Sequence, residues 1–397
     1  MGWSPFRPCG LTYMERRSAG GYTVVTPIGG EATYLLDEMG QIVHFWHVPE
    51  FMPGYGYLLP GGNLLVRGQL LVEKEVGLAE PAGTADILLE LDWDGKVVWR
   101  WEHPNFHHDM HRLPNGNTLV LTWVVIPDDI ARRVKGGIPE EMRRFYAKDP
   151  YFRSFLLSGV GVGGRPRLEG RLGDAILEVD PKGEVVHEWL AHEHLDPEED
   201  VLDPQDFQGE WSHANAVTCT PDGKVMVSFR EISTIMILDW PSGDVLWKWG
   251  RPYISCQHSP TITPDGTLLV FDNGAHHPIQ SKSRVVEVDI QSKKIIWQYF
   301  GIPVFSLYSG HIAGAERLHN GNTFICEGES GRLFEITKEG DSVWEWNSPF
   351  VHEFKGVKNV QIFRAHRYMA NSPELAGREL DASKYAELNR RCGLIRK

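Results

Sequence analysis

The sequence has few cysteines, and they follow no spacing rule. There are five of them, an odd number, and no two form a Cys-x-x-Cys pair. Such pairs supply the usual cysteine-ligated zinc sites, so their absence argues against a site of that kind. The cysteines are Cys9, Cys219, Cys256, Cys326 and Cys392. We expect them to be reduced thiols.

Long apolar runs and clusters of positive charge are also missing. No run approaches the ~20 apolar residues that a membrane-spanning helix needs, and residues 1–11 lack the apolar core of a signal peptide. The net charge of −13 argues against binding to nucleic acid or to an anionic membrane, because both attract clustered lysine and arginine. We therefore expect a cytoplasmic protein without a nucleic-acid or membrane partner.

Glycine and tryptophan, by contrast, are abundant, with 41 and 14 residues. This composition favours turns and strands rich in aromatic residues. A seven-residue segment ending in Trp or Tyr occurs six times, about 50 residues apart except for one gap of 88 residues. The six copies are residues 40–46, 95–101, 183–189, 243–249, 293–299 and 340–346.

Each copy closes a unit of about four short strands. Asn-Gly and Asp-Gly steps such as those ending at Gly116, Gly223 and Gly266 supply the positive φ of tight hairpins. Units of this length and pattern are typical of propeller blades. The sequence thus predicts an all-β fold, a six-bladed β-propeller, as a single domain over residues 1–369. The first unit lacks its turn-plus-strand, so we expect the strand at 359–368 to close the ring, the alternative being an ordinary terminal strand.

Two segments stand apart from the repeat. Residues 127–171 form an insertion in the third blade, and the spacing around Asp128 and after Pro139 predicts helices. A long insertion in a compact domain is a lid or a surface decoration, and both interpretations stay open. The charged segment 370–397 is expected to be a helical tail on the outside.

The candidate functional residues are four histidines at matched offsets from the turn glycines. His108 and His258 lie eight residues before their turn glycine, and His213 and His311 lie ten before theirs. Because eight and ten differ by two, strand alternation keeps the four side chains on one side. In a propeller the first strand of each blade lines the central channel, so we expect four consecutive blades to direct these imidazoles to one channel mouth.

Polar neighbours strengthen this interpretation. Asn215 shares a strand face with His213, and Arg230 ends an apolar strand, where a guanidinium needs an anion. Asp109 and Asn273 lie at strand ends, where they could orient histidine tautomers or contact substrate. For Arg230, a salt bridge between blades is the structural alternative.

Several of these segments resemble the arylsulfotransferase family. The resemblance spans about 108–346 and rests on the following segments: Trp-Ser-His213-Ala-Asn215, Val-Ser-Phe-Arg230, Gln257-His258, Phe-Asp272-Asn273-Gly274 and Leu-Pro-Asn-Gly-Asn117. Members of that family are six-bladed propellers that transfer a sulfuryl group between phenols without a nucleotide sulfate donor. Exported bacterial members carry a disulfide and an extra N-terminal domain, and neither is seen in this sequence.

The resemblance implies a role for each matching residue. It makes His258 the nucleophile that is transiently sulfated and His108 the acid or base at the phenol oxygen. His213, Asn215 and Arg230 would bind the sulfuryl oxygens. Sulfuryl transfer of this kind requires no cofactor. The implied substrate is a small aromatic or anionic molecule, and the sequence does not indicate an oligomeric state.

His311 does not belong to the sulfotransferase pattern, and it supports an alternative. A ring of His108, His213, His258 and His311 would suit Fe, Cu, Zn or Ni. Four-histidine iron on a propeller axis is similar to the carotenoid-cleaving oxygenases, although those have seven blades. The second hypothesis is therefore a metal-dependent oxygenase, lyase or hydrolase, and a scaffold propeller without catalysis is the third.

Overall fold

The structure is a computed structural model that describes residues 8–70, 83–139, 142, 168, 170–277, 279–354 and 357–395. Six sheets of four or five antiparallel strands follow one another along the chain. The fold is the predicted six-bladed β-propeller. Among the described residues, no helix is long and apolar enough to cross a membrane.

The strands are numbered in chain order and assigned to blades. The chain begins with β1 (Gly10–Met14), and blade 1 contains β2 (Tyr22–Pro27), β3 (Ala32–Leu36) and β4 (Ile42–His47). Blade 2 contains β5 (Phe51–Leu58), β6 (Leu64–Leu70), β7 (Ile87–Leu91) and β8 (Val97–Glu102). Blade 3 contains β9 (Phe106–Arg112), β10 (Thr118–Val125), β12 (Leu172–Val179) and β13 (Val185–Leu190), with β11 (Gly136–Ile138) between its second and third strands.

The second half of the chain repeats the arrangement. After β14 (Leu202–Phe207), which pairs in parallel with β11, blade 4 contains β15 (Ala214–Cys219), β16 (Val225–Phe229), β17 (Thr234–Leu238) and β18 (Val245–Gly250). Blade 5 contains β19 (His258–Ile262), β20 (Leu268–Asp272), β21 (Arg284–Asp289) and β22 (Lys294–Tyr299). Blade 6 contains β23 (Gly314–Arg317), β24 (Thr323–Glu327), β25 (Arg332–Ile336) and β26 (Ser342–Asn347), with β1 on its outer edge. The last strands are the hairpin β27 (His352–Phe354) and β28 (Val357–Asn359), then β29 (Ile362–Tyr368).

The position of a strand within its blade follows from its side chains. The middle strands β16 and β17 of blade 4 are buried along their whole length, and both are apolar apart from Ser228 and Thr234. The outer strand β18 alternates between exposed residues such as Lys248 and buried ones such as Trp249. This alternation is expected when one face packs on the neighbouring sheet and the other meets water.

The C-terminal strand completes the first blade. Strand β29 pairs antiparallel with β2, with Val24 opposite His366 and Val25 opposite Ala365. The first sheet therefore has the order β29-β2-β3-β4. Pairing the two ends of the chain removes an open sheet edge. The predicted closure by a C-terminal strand is confirmed.

The predicted helices are found in part among the described residues. In the insertion, the described residues contain one turn of helix, α1 (Asp128–Ala131), and the strand β11. The second predicted helical stretch, after Pro139, lies outside the described residues apart from Met142. A helical insertion is thus not confirmed, and the lid stays a prediction. In the tail, helix is confined to a 3-10 turn (Ala382–Tyr385) and α2 (Ala386–Arg391).

The chain divides into two compact units. One comprises Met1–Val66, Leu89–Val98 and Ile312–Lys397, and the other comprises Arg67–Leu88 and Trp99–His311. The predicted boundary between a domain at 1–369 and a tail at 370–397 stays a prediction. All four candidate histidines belong to the second unit.

Candidate active site

His258 begins β19 and is held in one tautomer by its neighbours. Its Nδ1 atom lies 2.8 Å from Oδ1 of Asn273 and 3.1 Å from the carbonyl oxygen of Cys256. The Asn273 amide is itself fixed, because its Nδ2 donates to the carbonyl oxygen of Ser309 at 2.7 Å. Both oxygens facing Nδ1 are acceptors, so Nδ1 carries the proton and Nε2 carries the lone pair.

The environment of His258 keeps its imidazole neutral. The side chain is buried, with 2% of its surface exposed. Burial holds the pKa of His258 well below its ordinary value, and the positive charge of Arg230 lowers it further, although the bond to Asn273 opposes this. A neutral imidazole is a nucleophile near pH 7 through the nitrogen that carries its lone pair.

His108 contacts the candidate histidine of the next blade. Its ring centroid lies 4.5 Å from that of His213, with the rings at 70° to each other. On the other side, its Nδ1 lies 2.9 Å from Nδ1 of His107, and His107 stacks on Trp123. Burial, and then the charges of His213 and His107, keep the pKa of His108 well below its ordinary value.

Two carboxylates face His213. Its Nδ1 donates to Oε2 of Glu210 at 3.0 Å, and Oε1 of Glu231 lies 3.7 Å away. Burial raises the pKa of Glu231 well above its ordinary value. Burial acts in the same direction on Glu210, but the charge and hydrogen bond of His213, together with His107 and Trp123, bring the pKa of Glu210 below its ordinary value. Glu210 is therefore the ionised partner that orients His213, with Nε2 as the opposite ring atom.

Arg230 pairs with an aspartate that the sequence analysis did not select. Its Nη1 donates to Oδ1 of Asp206 at 2.9 Å, and 16% of its side chain is exposed. Burial disfavours the charge, but the Asp206 carboxylate raises the pKa of Arg230 above its ordinary value. The guanidinium is permanently charged, and its charge acts on His258.

Asn215, on β15, connects blade 4 to the residue that precedes β19 of blade 5. Its Nδ2 donates to the carbonyl oxygen of Gln257, next to His258, at 2.8 Å. Its Oδ1 is buried and has no hydrogen-bond partner among the described residues. A buried acceptor without a hydrogen bond destabilises the folded protein by about 1–3 kcal/mol, and a bound donor would remove that cost. The site thus contains an acceptor that a bound hydroxyl group would satisfy.

Asp109 serves the framework between two blades. Its Oδ1 accepts from the backbone nitrogen of Met110 and its Oδ2 from that of Val217, both at 3.0 Å. The second bond joins β9 to β15. Both bonds give Asp109 a structural role, and the expected role in substrate binding stays a prediction.

The first strands of blades 3, 4 and 5 have bulges at or next to candidate histidines. Bulges break the alternation from which the side-chain directions were predicted. Residues His108 and Asp109 interrupt the pairing of β9 with β10, Asn215 interrupts that of β15 with β16, and Ser259 lies in a similar interruption in β19. His108 has φ +47° and His213 has φ +63°, a left-handed conformation that non-glycine residues adopt rarely. Bulges redirect side chains next to active sites, so strand parity alone does not set these directions.

The four-histidine metal centre stays a prediction. Two groups of at least three His, Cys, Asp or Glu side chains in the described part of the chain bring their ligand atoms within 4.8 Å of one another. Neither includes His108, His258 or His311. His213 belongs to one, with Glu210 and Glu231. His311 precedes β23, is half-buried, and affects His258 through its charge.

Several residues of the site were missed by the sequence analysis. His107, Asp174, Glu210 and Glu231 form a buried acidic and imidazole network beside His108 and His213. Burial raises the pKa of Asp174 to about 6 and lowers that of His107 to about 3. The sequence contained a local signal for two of these residues. Glu210 lies three residues before His213, and Glu231 directly follows Arg230.

Comparison with known proteins gives one family. Residues 159–349 match the arylsulfotransferase (ASST) family. The matched segment contains His213, Asn215, Arg230 and His258, while His108 lies before it. The comparison with curated proteins gives no match.

Solved structures support the fold. A protein of unknown function from Bacteroides caccae is 16% identical, with 87% of this chain and 98% of that chain covered and a TM-score of 0.51. A streptogramin B lyase is 13% identical, with 87% and 85% covered and a TM-score of 0.46. A catalytically inactive virginiamycin B lyase from Staphylococcus aureus with quinupristin is 13% identical, with 76% and 73% covered and a TM-score of 0.41. At these identities only the fold is comparable, and the first structure carries that likeness.

Proposed function

Because residues 159–349 match the arylsulfotransferase (ASST) family, we propose that this protein transfers a sulfuryl group from an aryl sulfate to a phenol, with His258 as the nucleophile. The observation that carries the proposal is the state of His258. Its Nδ1–H is directed at two oxygen acceptors, its Nε2 has the lone pair, and its imidazole is neutral. This is the tautomer and charge state that attack on sulfur requires.

In the first step, Nε2 of His258 attacks the sulfur atom and the bond between sulfur and the aryl oxygen breaks. The ring becomes positive while it keeps its Nδ1 proton, and Oδ1 of Asn273 stabilises that charge. Arg230 and His213 offset the negative charge on the sulfuryl oxygens. The second hydrogen of the Asn215 amide nitrogen is a further donor to them.

His108 acts as general acid and then as general base at the phenol oxygen. In the ligand-free protein His108 is neutral, but a bound sulfate anion raises the pKa of a nearby imidazole because opposite charges favour the protonated form. Protonated His108 then gives its proton to the leaving phenolate. In the second step neutral His108 takes the proton of the acceptor phenol, whose oxygen attacks sulfur as the bond to Nε2 breaks.

The test compares two matched variants on p-nitrophenyl sulfate with a phenol acceptor. His258→Asn removes the nucleophile, and His194→Asn removes an exposed imidazole that stacks on Trp189. We expect His258→Asn to lose turnover and His194→Asn to keep it. Intact mass of the wild type mixed with donor alone should show one added sulfuryl group, absent from His258→Asn. Full turnover in folded His258→Asn, or the lack of any aryl sulfate turnover by the wild type, would sink the proposal.

A further inference from the structure

Four potential metal ligands from three separate chain segments converge beside Arg230, which pairs with one of them, Asp206. Asp203 and Asp206 lie on β14, Cys256 lies just before β19, and His276 lies in the loop after β20. Their ligand atoms all lie within 4.8 Å of one another. The side chains are about nine-tenths buried or more.

The distances between these atoms suit a tetrahedral ion. Nδ1 of His276 lies 3.2 Å from Sγ of Cys256, 3.5 Å from Oδ2 of Asp206 and 3.6 Å from Oδ2 of Asp203. Sγ of Cys256 lies 3.9 Å from Oδ2 of Asp203. Around a tetrahedral zinc ion with bonds of about 2.0–2.3 Å, neighbouring ligand atoms are separated by about 3.3–3.8 Å. Four of the six separations are therefore close to those of such a site, and the other two are within 4.8 Å.

One ligand atom has no hydrogen bond within the described part of the chain, although Nδ1 of His276 lies 3.5 Å from it. Oδ2 of Asp206 is buried and has no hydrogen-bond partner there. Its sister oxygen Oδ1 already accepts from Arg230. Leaving a charged, buried oxygen unsatisfied is costly, and a cation among the four ligand atoms would satisfy it.

The other ligands are fixed by groups outside the site. The Ser233 hydroxyl donates to Oδ2 of Asp203 at 2.7 Å and accepts from the backbone nitrogen of Cys256 at 3.1 Å. Arg251 pairs with Oδ1 of Asp203. Metal ligands are commonly oriented by outer hydrogen bonds of this kind. Cys256 also has φ +56°, and this strained backbone directs its thiol.

The donor set selects the kind of ion. A thiolate, an imidazole and two carboxylates suit zinc, whereas magnesium and calcium prefer six or more oxygen ligands. Arg230 and Arg251 offset part of the charge of the three anionic ligands. We propose that Asp203, Asp206, Cys256 and His276 bind one zinc-type divalent cation in tetrahedral geometry. The site is independent of the proposed sulfuryl chemistry, although Asp206 is shared with Arg230.

Cobalt(II) is the probe, because its spectrum reports both geometry and ligand type. Metal-depleted full-length protein is titrated with cobalt(II) alone and then with zinc(II). We expect one equivalent to bind, with a thiolate-to-cobalt charge-transfer band in the near ultraviolet and the intense visible bands of a four-coordinate ion. Zinc should abolish both. The second group, Glu210 with His213 and Glu231, contains no sulfur and would give no charge-transfer band.

Matched variants assign the site. Cys256→Ser should lose the charge-transfer band and weaken zinc binding on the order of 100-fold, while Cys219→Ser should bind as the wild type does. Asp206→Asn should weaken zinc binding about 10- to 100-fold, and Asp239→Asn, in an exposed turn, should not. If Cys256→Ser fails to fold, the cobalt spectrum of the wild type and the zinc affinity of Asp206→Asn test the proposal. The proposal is overturned by wild-type protein without saturable binding, by bound cobalt without the sulfur band, or by unchanged affinity in both site variants.

Discussion

Oδ1 of Asn273 lies 2.8 Å from Nδ1 of His258, and the same amide donates through Nδ2 to a backbone carbonyl. The carbonyl of Ser309, which lies between β22 and β23, therefore orients the amide that selects the protonated nitrogen of His258, the proposed nucleophile. Asn273 does not need to contact the sulfuryl group to matter for catalysis. It is a positioning residue whose effect passes through the tautomer and the pKa of His258.

Two substitutions of Asn273 separate its effects. Asn273→Leu removes the shorter of the two acceptor contacts at Nδ1 and leaves the Cys256 carbonyl oxygen. The preference for the Nδ1–H tautomer should weaken, and we expect kcat to fall about 10- to 100-fold with a small change in KM. Asn273→Asp places a carboxylate at Nδ1 and raises the pKa of His258. Since protonated imidazole is not a nucleophile, the acid limb of the pH–rate profile should move to higher pH.

The measurement is the pH dependence of the burst of p-nitrophenol release. Asn320→Asp, in an exposed turn of blade 6, is the matched control and should keep the wild-type profile. A role of Asn273 in folding alone would lower the active fraction without moving the acid limb. That outcome would contradict a positioning role.

His108 is predicted to matter most when the leaving group is basic. Phenol, with a pKa near that of tyrosine at about 10, needs a proton as it leaves, whereas p-nitrophenolate is a stable anion. His108→Asn should therefore slow phenyl sulfate on the order of 10²-fold or more, and p-nitrophenyl sulfate much less. Rates of the first half-reaction with both donors test this. Equal losses would mean that His108 binds the sulfuryl group rather than moving a proton.

The fold was accessible from sequence because its signal is repeated. Six Trp- or Tyr-ended segments each fix one outer strand, and the turn glycines fix the hairpins between strands. Pairing of β29 with β2 follows from the missing strand of the first unit. The helical insertion was predicted from local spacing, and in its described part only α1 and β11 are formed.

The site was accessible only in part, because its contacts are not periodic. Offsets from the turns selected His108 and His213, whose rings do meet. They did not reveal the bulges, which interrupt strand pairing at His108, Asn215 and Ser259. The group of Asp203, Asp206, Cys256 and His276 has no sequence spacing at all, since its members come from three segments that meet only in the folded chain.

Arg230 has a matched control in the next blade. Both Arg230 and Arg284 pair with a buried aspartate and have 16% of their side chains exposed. Arg230→Lys keeps the charge but loses the planar fork that suits sulfuryl oxygens, so kcat/KM should fall on the order of 10²- to 10³-fold. Arg284→Lys should leave kcat/KM nearly unchanged. Similar losses in steady-state rates of both variants would assign Arg230 to the framework.

Asn389 attaches the C-terminal tail to blade 1. Its Oδ1 accepts from the backbone nitrogen of Ile42 at 2.7 Å, and its Nδ2 donates to the Ile42 carbonyl oxygen at 2.9 Å. Asn389→Ala leaves both backbone groups buried without this partner, and the free energy of unfolding should fall by about 1–3 kcal/mol. Denaturant unfolding measures this, with Asn320→Ala as the exposed control. A loss no larger than that of the control would mean that the tail contributes nothing to the blade.

The buried imidazole of His107 should make stability depend on pH. Burial lowers the pKa of His107 to about 3 in the folded protein, whereas an unfolded histidine titrates near 6.5. Between these values the unfolded state binds a proton that the folded state does not, so the free energy of unfolding falls as the pH drops below about 6.5. Asp174 and Glu231, whose pKa values are raised by burial, act in the opposite direction.

The His107 contribution is therefore measured as a difference between proteins. Denaturant unfolding of the wild type and of His107→Asn is compared at several pH values between 5 and 8. As the pH falls below about 6.5, the wild type should lose stability relative to the variant by about 1.4 kcal/mol per pH unit. His194→Asn, which removes an exposed imidazole, distinguishes this from the loss of any histidine. A difference that stays constant with pH would mean that His107 has the same pKa in the folded and the unfolded protein, and that its burial against Trp123 does not disfavour the imidazolium.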